Sequence, residues 1–205
     1  MREKLRAIIV AFDGLVADTL GARAQAIADA LTSEGTPISA DAIAEHVPGQ
    51  SLEETIEHVL RHHAAQRGGS IDHTTRDLAV LRARRSYSAI IALGLPLQAT
   101  ATAWIVKHAS NGVKVILRAD SARADVENML RLSGFSDSIA FARCADDLPR
   151  LRGLSTTESA WRAIVHRLGV MPITPGDCRA VEISQSSAKI AQTLISDVVL
   201  ASTLS

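Results

Sequence analysis

Beyond residue 112 the chain alternates short apolar, β-branched runs with amphipathic helical stretches, and this alternation limits the fold more than any other feature. The runs fall at 113–117, 138–142, 179–183 and 197–201, and helical spacing occupies 122–132, 156–168 and 186–194 between them. Strands separated by helices imply right-handed crossovers and a parallel sheet. A further run, Arg6-Ala7-Ile8-Ile9-Val10-Ala11-Phe12, stops at Asp13-Gly14. It reads as the first strand, buried on both faces. A helix is expected at 97–110, closed by Asn111-Gly112.

The segment from 17 to 92 interrupts this series with helices alone. Leu20, Ala24, Ile27, Ala28 and Leu31 recur at helical spacing between a capping Asp18 or Thr19 and a closing Gly35. A short helix follows at 39–46, broken by Pro48-Gly49. Ser51-Leu52-Glu53-Glu54 resembles a capping box, and Gly68-Gly69-Ser70 separates its helix from one at 73–92. The expected organisation is a sheet domain of 1–16 and 93–205, with 17–92 as a helical insertion.

Composition narrows the function classes. Lys plus Arg and Asp plus Glu number 22 each, so the net charge is zero and nothing in it favours nucleic acid or an anionic membrane. With three Phe, two Trp and one Tyr the chain has too few aromatics for base stacking, and 47% hydrophobic content excludes a mainly disordered chain. No apolar run reaches membrane-spanning length, and the run behind Met1-Arg2-Glu3-Lys4 reads as a strand, not a signal peptide. Cys144 and Cys178 make no disulfide framework or zinc spacing. The expected setting is cytoplasmic, with both thiols reduced.

In an open parallel sheet, ligands bind beyond the carboxyl ends of the strands, here 11–13, 119–121, 144–147 and 182–184. The stretch Ile9-Val10-Ala11-Phe12-Asp13-Gly14-Leu15-Val16-Ala17-Asp18-Thr19 resembles the first motif of haloacid dehalogenase-like (HAD) phosphatases. Glu34-Gly35-Thr36-Pro37-Ile38-Ser39, followed by Pro48-Gly49-Gln50-Ser51-Leu52-Glu53-Glu54, resembles the start of the helical cap in the β-phosphoglucomutase and phosphoglycolate phosphatase branch. Asp120-Ser121-Ala122-Arg123-Ala124-Asp125-Val126, His166-Arg167-Leu168-Gly169-Val170 and Ala180-Val181-Glu182-Ile183-Ser184 follow in the order of the remaining motifs. The resemblance spans essentially the whole chain. It implies a Rossmann-like sheet in the order 3-2-1-4-5 with 17–92 as the cap.

For such a fold the resemblance implies phosphoryl transfer: a nucleophilic Asp, an acid/base Asp, a hydroxyl and a Lys on the phosphate, and late carboxylates on Mg²⁺. A dianionic phosphate needs a cation and donors around it, and a carboxylate nucleophile needs a metal to offset it. Carried over residue by residue, the nucleophile position holds Ala11 and only Asp13, the acid/base position, remains. The phosphate hydroxyl falls on Ala119, followed by Asp120-Ser121. The lysine position falls at Leu154 or Ser155, and no lysine occurs between 115 and 188. The late acidic pair reads Glu182-Ile183. The resulting pocket of Ala11, Asp13, Ala119, Asp120, Ser155 and Glu182 is expected to be vestigial, with no catalytic residue, no metal and no cofactor.

Several residues have plain readings. Glu54, His58 and His62 lie at i, i+4 and i+8 and, with no second cluster, read as a solvated helix face. Arg82, Arg84 and Arg85 read as solvated charge, and Trp104 and Trp161 as packing anchors. Arg118, at the end of an apolar strand, either reaches solvent or is buried and paired. Asp13 and Glu182 facing one pocket without a cation would repel, and in the second case the Arg118 guanidinium bonds one of them bidentately.

The expected function is that of a catalytically inactive HAD-like protein, a binding, assembly or regulatory module with a protein partner and no nucleic-acid or membrane partner. The alternative is a weak or altered hydrolase acting on a small phosphorylated metabolite. The sequence names neither partner nor oligomeric state.

Overall fold

The computed structural model of the chain describes residues 5–66, 70–147 and 154–203. Met1-Arg2-Glu3-Lys4 and Gly68-Gly69 lie outside the described residues. Two compact units divide the chain: Met1–Asp18 with Pro96–Ser205, and Thr19–Leu95.

The first unit is a five-stranded, all-parallel sheet in the order β3-β2-β1-β4-β5. Its strands are β1 (Ala7–Ala11), β2 (Lys114–Arg118), β3 (Phe141–Arg143), β4 (Cys178–Glu182) and β5 (Asp197–Leu200). Its helices are α5 (Ala99–Ser110), α6 (Arg123–Ser133), α7 (Thr156–Val170) and α8 (Gln185–Gln192). All five β1 residues are buried, as a central strand covered on both faces requires.

Alternation along the strands divides the apolar residues between the two faces. Ile9, with its register partners Ile116 and Ala180, packs into one cluster with Trp161, Ile164 and Leu168 of α7 and Ala191 of α8. Trp161 is fully buried there, as its apolar setting implied. Trp104 of α5 is instead half-buried and lies against His108, with ring centroids 4.1 Å apart and planes tilted by 44°. Strand β3 begins later than its apolar run because Ser136–Ser138 forms a 3-10 turn, with Ser138 N–H on Phe135 C=O (3.2 Å) and Ile139 N–H on Ser136 C=O (3.0 Å).

Residues 16–18 belong to the sheet unit because they pair with 96–98. Ala17 bridges Leu97, and Gln98 N–H donates to Val16 C=O at 2.8 Å. The second unit is wholly helical: α1 (Leu20–Ser33), α2 (Ala40–Ala44), α3 (Leu52–Gln66) and α4 (His73–Ala92). Helix α1 packs on α2 and α4, and α3 packs on α4.

The starts of three of these helices follow from single side chains. Ser39 accepts from Ala42 N–H (3.3 Å), and Asp72 accepts from Thr74 and Thr75 N–H (both 3.1 Å). Ser51 and Glu54 form a reciprocal capping box at 2.9 and 3.3 Å. At α1 Thr19 occupies the capping position, but its hydroxyl makes no capping bond because its backbone is already helical (φ −94°, ψ −18°).

The Arg82–Arg85 run is tied down in part. Arg82 pairs with Glu34 (2.5 Å) and Arg84 with Glu53 (2.5 Å), joining α4 to the end of α1 and to α3. Glu54 is engaged in the capping box, His58 lies against His46 (4.6 Å between ring centroids), and His62 Nε2 lies 2.9 Å from Gln66 Nε2. Among the described residues no group of three His, Cys, Asp or Glu is placed to hold a metal. No helix among them is long and apolar enough to cross a membrane.

Candidate functional site

The carboxyl ends of β1, β2 and β4 bring together Ala11, Asp13, Arg118, Ala119, Asp120, Ser121 and Glu182, all at most 3% exposed. Arg118 closes β2 and is the register partner of Ala11 on β1, while Glu182 on β4 lies one position beyond Val181, which pairs with Val10. Arg118 and Glu182 therefore stand on strands separated by β1, about 10 Å apart at the usual strand spacing. The arginine side chain crosses that gap over Ala11. A methyl group at position 11 leaves the guanidinium room to pass.

Arg118 Nε–H donates to Glu182 Oε1 at 2.6 Å and Nη2–H to Glu182 Oε2 at 3.0 Å, a side-on bidentate pair. The far edge of the same guanidinium takes Asp120, with Nη1 to Oδ1 at 2.5 Å and Nη2 to Oδ2 at 3.5 Å. Residues i and i+2 of an extended segment share a face, which places Asp120 beside Arg118. Burial works against the arginine's charge, yet Asp120 and Glu182 together hold its pKa above the ordinary arginine value.

Asp13 is bound by the segment that follows β2. Its Oδ2 accepts from the Asp120 and Ser121 amides (2.7 and 3.2 Å), and the Ser121 hydroxyl donates to its Oδ1. Asp13 thus fastens the end of β1 to the turn that follows β2. Ser155 is not part of this group: it is exposed, and its hydroxyl accepts from Glu158 N–H at 3.1 Å to cap α7. Leu154 precedes it in irregular chain.

At the end of β3, Asp147 accepts a side-on pair from Arg123 of α6 (both 2.6 Å) and the Cys144 amide (2.8 Å). The Cys144 thiol is buried and pushed up to about 12, chiefly by desolvation, and Cys178 to about 11 for the same reason. Both cysteines are free. On the α5 side of the sheet, Val10, Gly14, Leu15, Gln98, Trp104 and Ala201 line a mainly apolar cavity of about 290 Å³.

Sheet order and helical insertion together give the fold seen in solved phosphoglycolate phosphatases and β-phosphoglucomutases of the haloacid dehalogenase-like type. A "predicted phosphoglycolate phosphatase" from Haemophilus somnus 129PT superposes with a TM-score of 0.78 at 13% identity, over 96% of this chain and 84% of that one. A β-phosphoglucomutase from Clostridium difficile gives 0.74 at 17% identity over 92% and 81%. CbbY from Rhodobacter sphaeroides, solved in complex with phosphate, gives 0.72 at 16% over 96% and 85%. At these identities the likeness establishes the fold. No protein-family model matches the chain. No curated protein matches it either.

The fold family implies Mg²⁺, and the residues present do not fit it. Mg²⁺ demands six oxygens in near-octahedral array at about 2.0–2.1 Å. Position 11 offers a methyl group, and Asp120 and Glu182 are both turned onto one guanidinium.

Proposed function

We propose that this protein is a catalytically inert member of the haloacid dehalogenase-like fold, kept as a binding, assembly or regulatory module with a protein partner. One observation carries the reading: Arg118 takes Asp120 and Glu182, two of the three carboxylates at the strand ends, where phosphoryl transfer would need a metal and an open phosphate site. Ala11 has no nucleophile to offer, Ala119 has no hydroxyl, and Ser155 caps a helix. Loss of a covalent nucleophile removes several kcal/mol of barrier lowering, and loss of an electrostatic clamp about 3–4 more. Two free, buried cysteines support a cytoplasmic setting for this reading.

The named structural neighbours favour a second reading, a hydrolase acting on a small phosphorylated metabolite. Asp13, held at the end of β1 by three donors, is then the group left for acid or base work.

An assay with a generic phosphoester, with and without Mg²⁺, separates the two. The first reading expects background hydrolysis for the parent and for Ala11→Asp, whose new carboxylate would sit beside Arg118. Mg²⁺-dependent turnover that disappears in Asp13→Asn would establish the second reading in its place.

A further inference from the structure

We propose that the groove between the outer strand β3 and the second half of α7 is the docking surface for an acidic, extended segment of a partner protein. The groove is open, encloses about 770 Å³ and is lined by Phe141 and Arg143 of β3, by His166, Arg167 and Val170 of α7, and by Met171. Its make-up follows from two periodicities. Phe141 and Arg143, at i and i+2 of a strand, share one face of the sheet. His166 and Arg167 lie four and three residues before Val170, so the three share one face of α7.

The cations of this groove are short of carboxylates. Arg143 Nε is buried and has no hydrogen-bond partner. Its Nη2 donates to Asp147 C=O at 3.2 Å and its Nη1 lies 3.9 Å from Asp147 Oδ2, but both oxygens of that carboxylate already accept from Arg123 at 2.6 Å. Arg167 is exposed and rests on an aromatic ring, its guanidinium carbon 4.6 Å from the Phe141 centroid. Glu158, the one carboxylate of α7, pairs with Arg162 at 2.9 Å instead. Among the described residues no ion pair involves Arg167 or His166. The negative end of α7 accounts for a basic residue in its last turn. It does not account for Arg143, which stands on the strand with an unmet donor. A buried donor without an acceptor is destabilising, and a carboxylate entering the groove removes that penalty.

The rest of the lining selects the occupant. Val170 is 74% exposed, and with Met171 and Phe141 it gives the groove an apolar wall beside its cations. An extended chain that alternates carboxylate and apolar side chains meets both, because successive side chains point to opposite sides and those on one side are spaced along the groove. Nucleic acid fits less well: Phe141 is the one aromatic ring in the lining, and its face is covered by Arg167. The inference deepens the binding-module reading and rests on it for the existence of a protein partner. The groove shares no residue with the strand-end group, so peptide binding tests the inference and phosphoester hydrolysis tests that reading, each by its own readout.

The test uses the full chain and a fluorescent peptide of alternating Glu and Leu, with its Gln–Leu counterpart as control. Binding is followed by anisotropy in the parent, Arg143→Gln, Arg167→Gln and Arg131→Gln, the last an exposed arginine on α6. The Arg143 Nε–H signal is followed by NMR in the parent. The proposal expects saturable binding of the Glu–Leu peptide, weakened about tenfold by Arg143→Gln and by Arg167→Gln, unchanged in Arg131→Gln, and accompanied by a shift of the Arg143 signal. Equal binding by the parent and both groove variants, equal binding of the Gln–Leu peptide, or an unmoved Arg143 signal overturns it. Tighter binding of a single-stranded RNA of the same length, or self-association of the chain that the groove variants abolish, gives the groove to nucleic acid or to a second copy and overturns it as well. If Arg143→Gln does not fold, Arg167→Gln and the parent's Nε–H titration decide.

Discussion

Arg118 and Glu182 meet edge to edge across the intervening strand β1, through two hydrogen bonds of 2.6 and 3.0 Å between residues 64 positions apart in sequence. The pair explains why Ala11 and Arg118 belong together. A longer side chain at position 11 would stand in the path of the guanidinium, and without the guanidinium Asp120 and Glu182 would be two buried carboxylates with no cation between them. The small side chain at position 11 and the arginine at position 118 are one coupled arrangement.

Removing Arg118 should therefore be costly. Breaking a buried pair from one side costs about 3–5 kcal/mol because the remaining charge stays buried, and here two carboxylates would be left. Urea unfolding of Arg118→Ala is expected to show a loss of that size or failure to fold. The exposed Arg131→Ala should stay within about 0.5 kcal/mol of the parent. Equal stability of Arg118→Ala and parent would remove the coupled arrangement.

Enlarging position 11 should act on the same pair by a different route. Ala11→Leu adds volume to a site that is 1% exposed and beside Arg118 in the ladder. Overpacking costs about 1–3 kcal/mol, and the expected sum is larger because the Arg118–Glu182 geometry is disturbed as well. Thermal unfolding compared with Ala11→Leu in an Arg118→Ala background measures the coupling. Strictly additive effects would show that the two residues do not interact.

A pH effect is expected at the end of β3. Burial pulls the Asp147 pKa up, but the Arg123 guanidinium and the Cys144 amide outweigh it and hold the carboxyl below its ordinary value of 3.8. The unfolded chain then binds the proton first, so the contribution of Asp147 is complete above the unfolded value and is lost as pH falls through the folded one. The stability difference between parent and Asp147→Asn should be constant from neutral pH to about pH 5 and shrink below about pH 4. A difference that grows on acidification would contradict the assigned partners.

The fold was largely legible in the chain because its signals are local and periodic. The apolar run ending at Asp13-Gly14, the alternation after 112 and the Ser51–Glu54 box each depend on neighbours within a few residues, and strand order follows from the resemblance. Of the strand-end group, Ala11, Asp13, Ala119, Asp120 and Glu182 could be placed together from the sequence, because strand ends and motif order are local signals. Its contacts could not be read there. The partners of Asp13 lie 107 and 108 residues away, and nothing in the sequence distinguishes Ser121 from other serines. Asp120 as the second carboxylate on Arg118 could have been found from the i, i+2 rule at the end of β2. Counting back from Leu168-Gly169 lands Ser155 on a helix start, and its capping bond to Glu158 N–H is a local contact that the count does not reveal.

The proposed role of Arg118 in place of a metal ion at the strand ends is tested most directly by calorimetric titration of the parent protein with Mg²⁺, alongside Asp13→Asn and Glu182→Gln. The parent is expected to show no saturable binding in the millimolar range and no Mg²⁺-induced rise in melting temperature. Saturable binding that is lost in either carboxylate variant would contradict it.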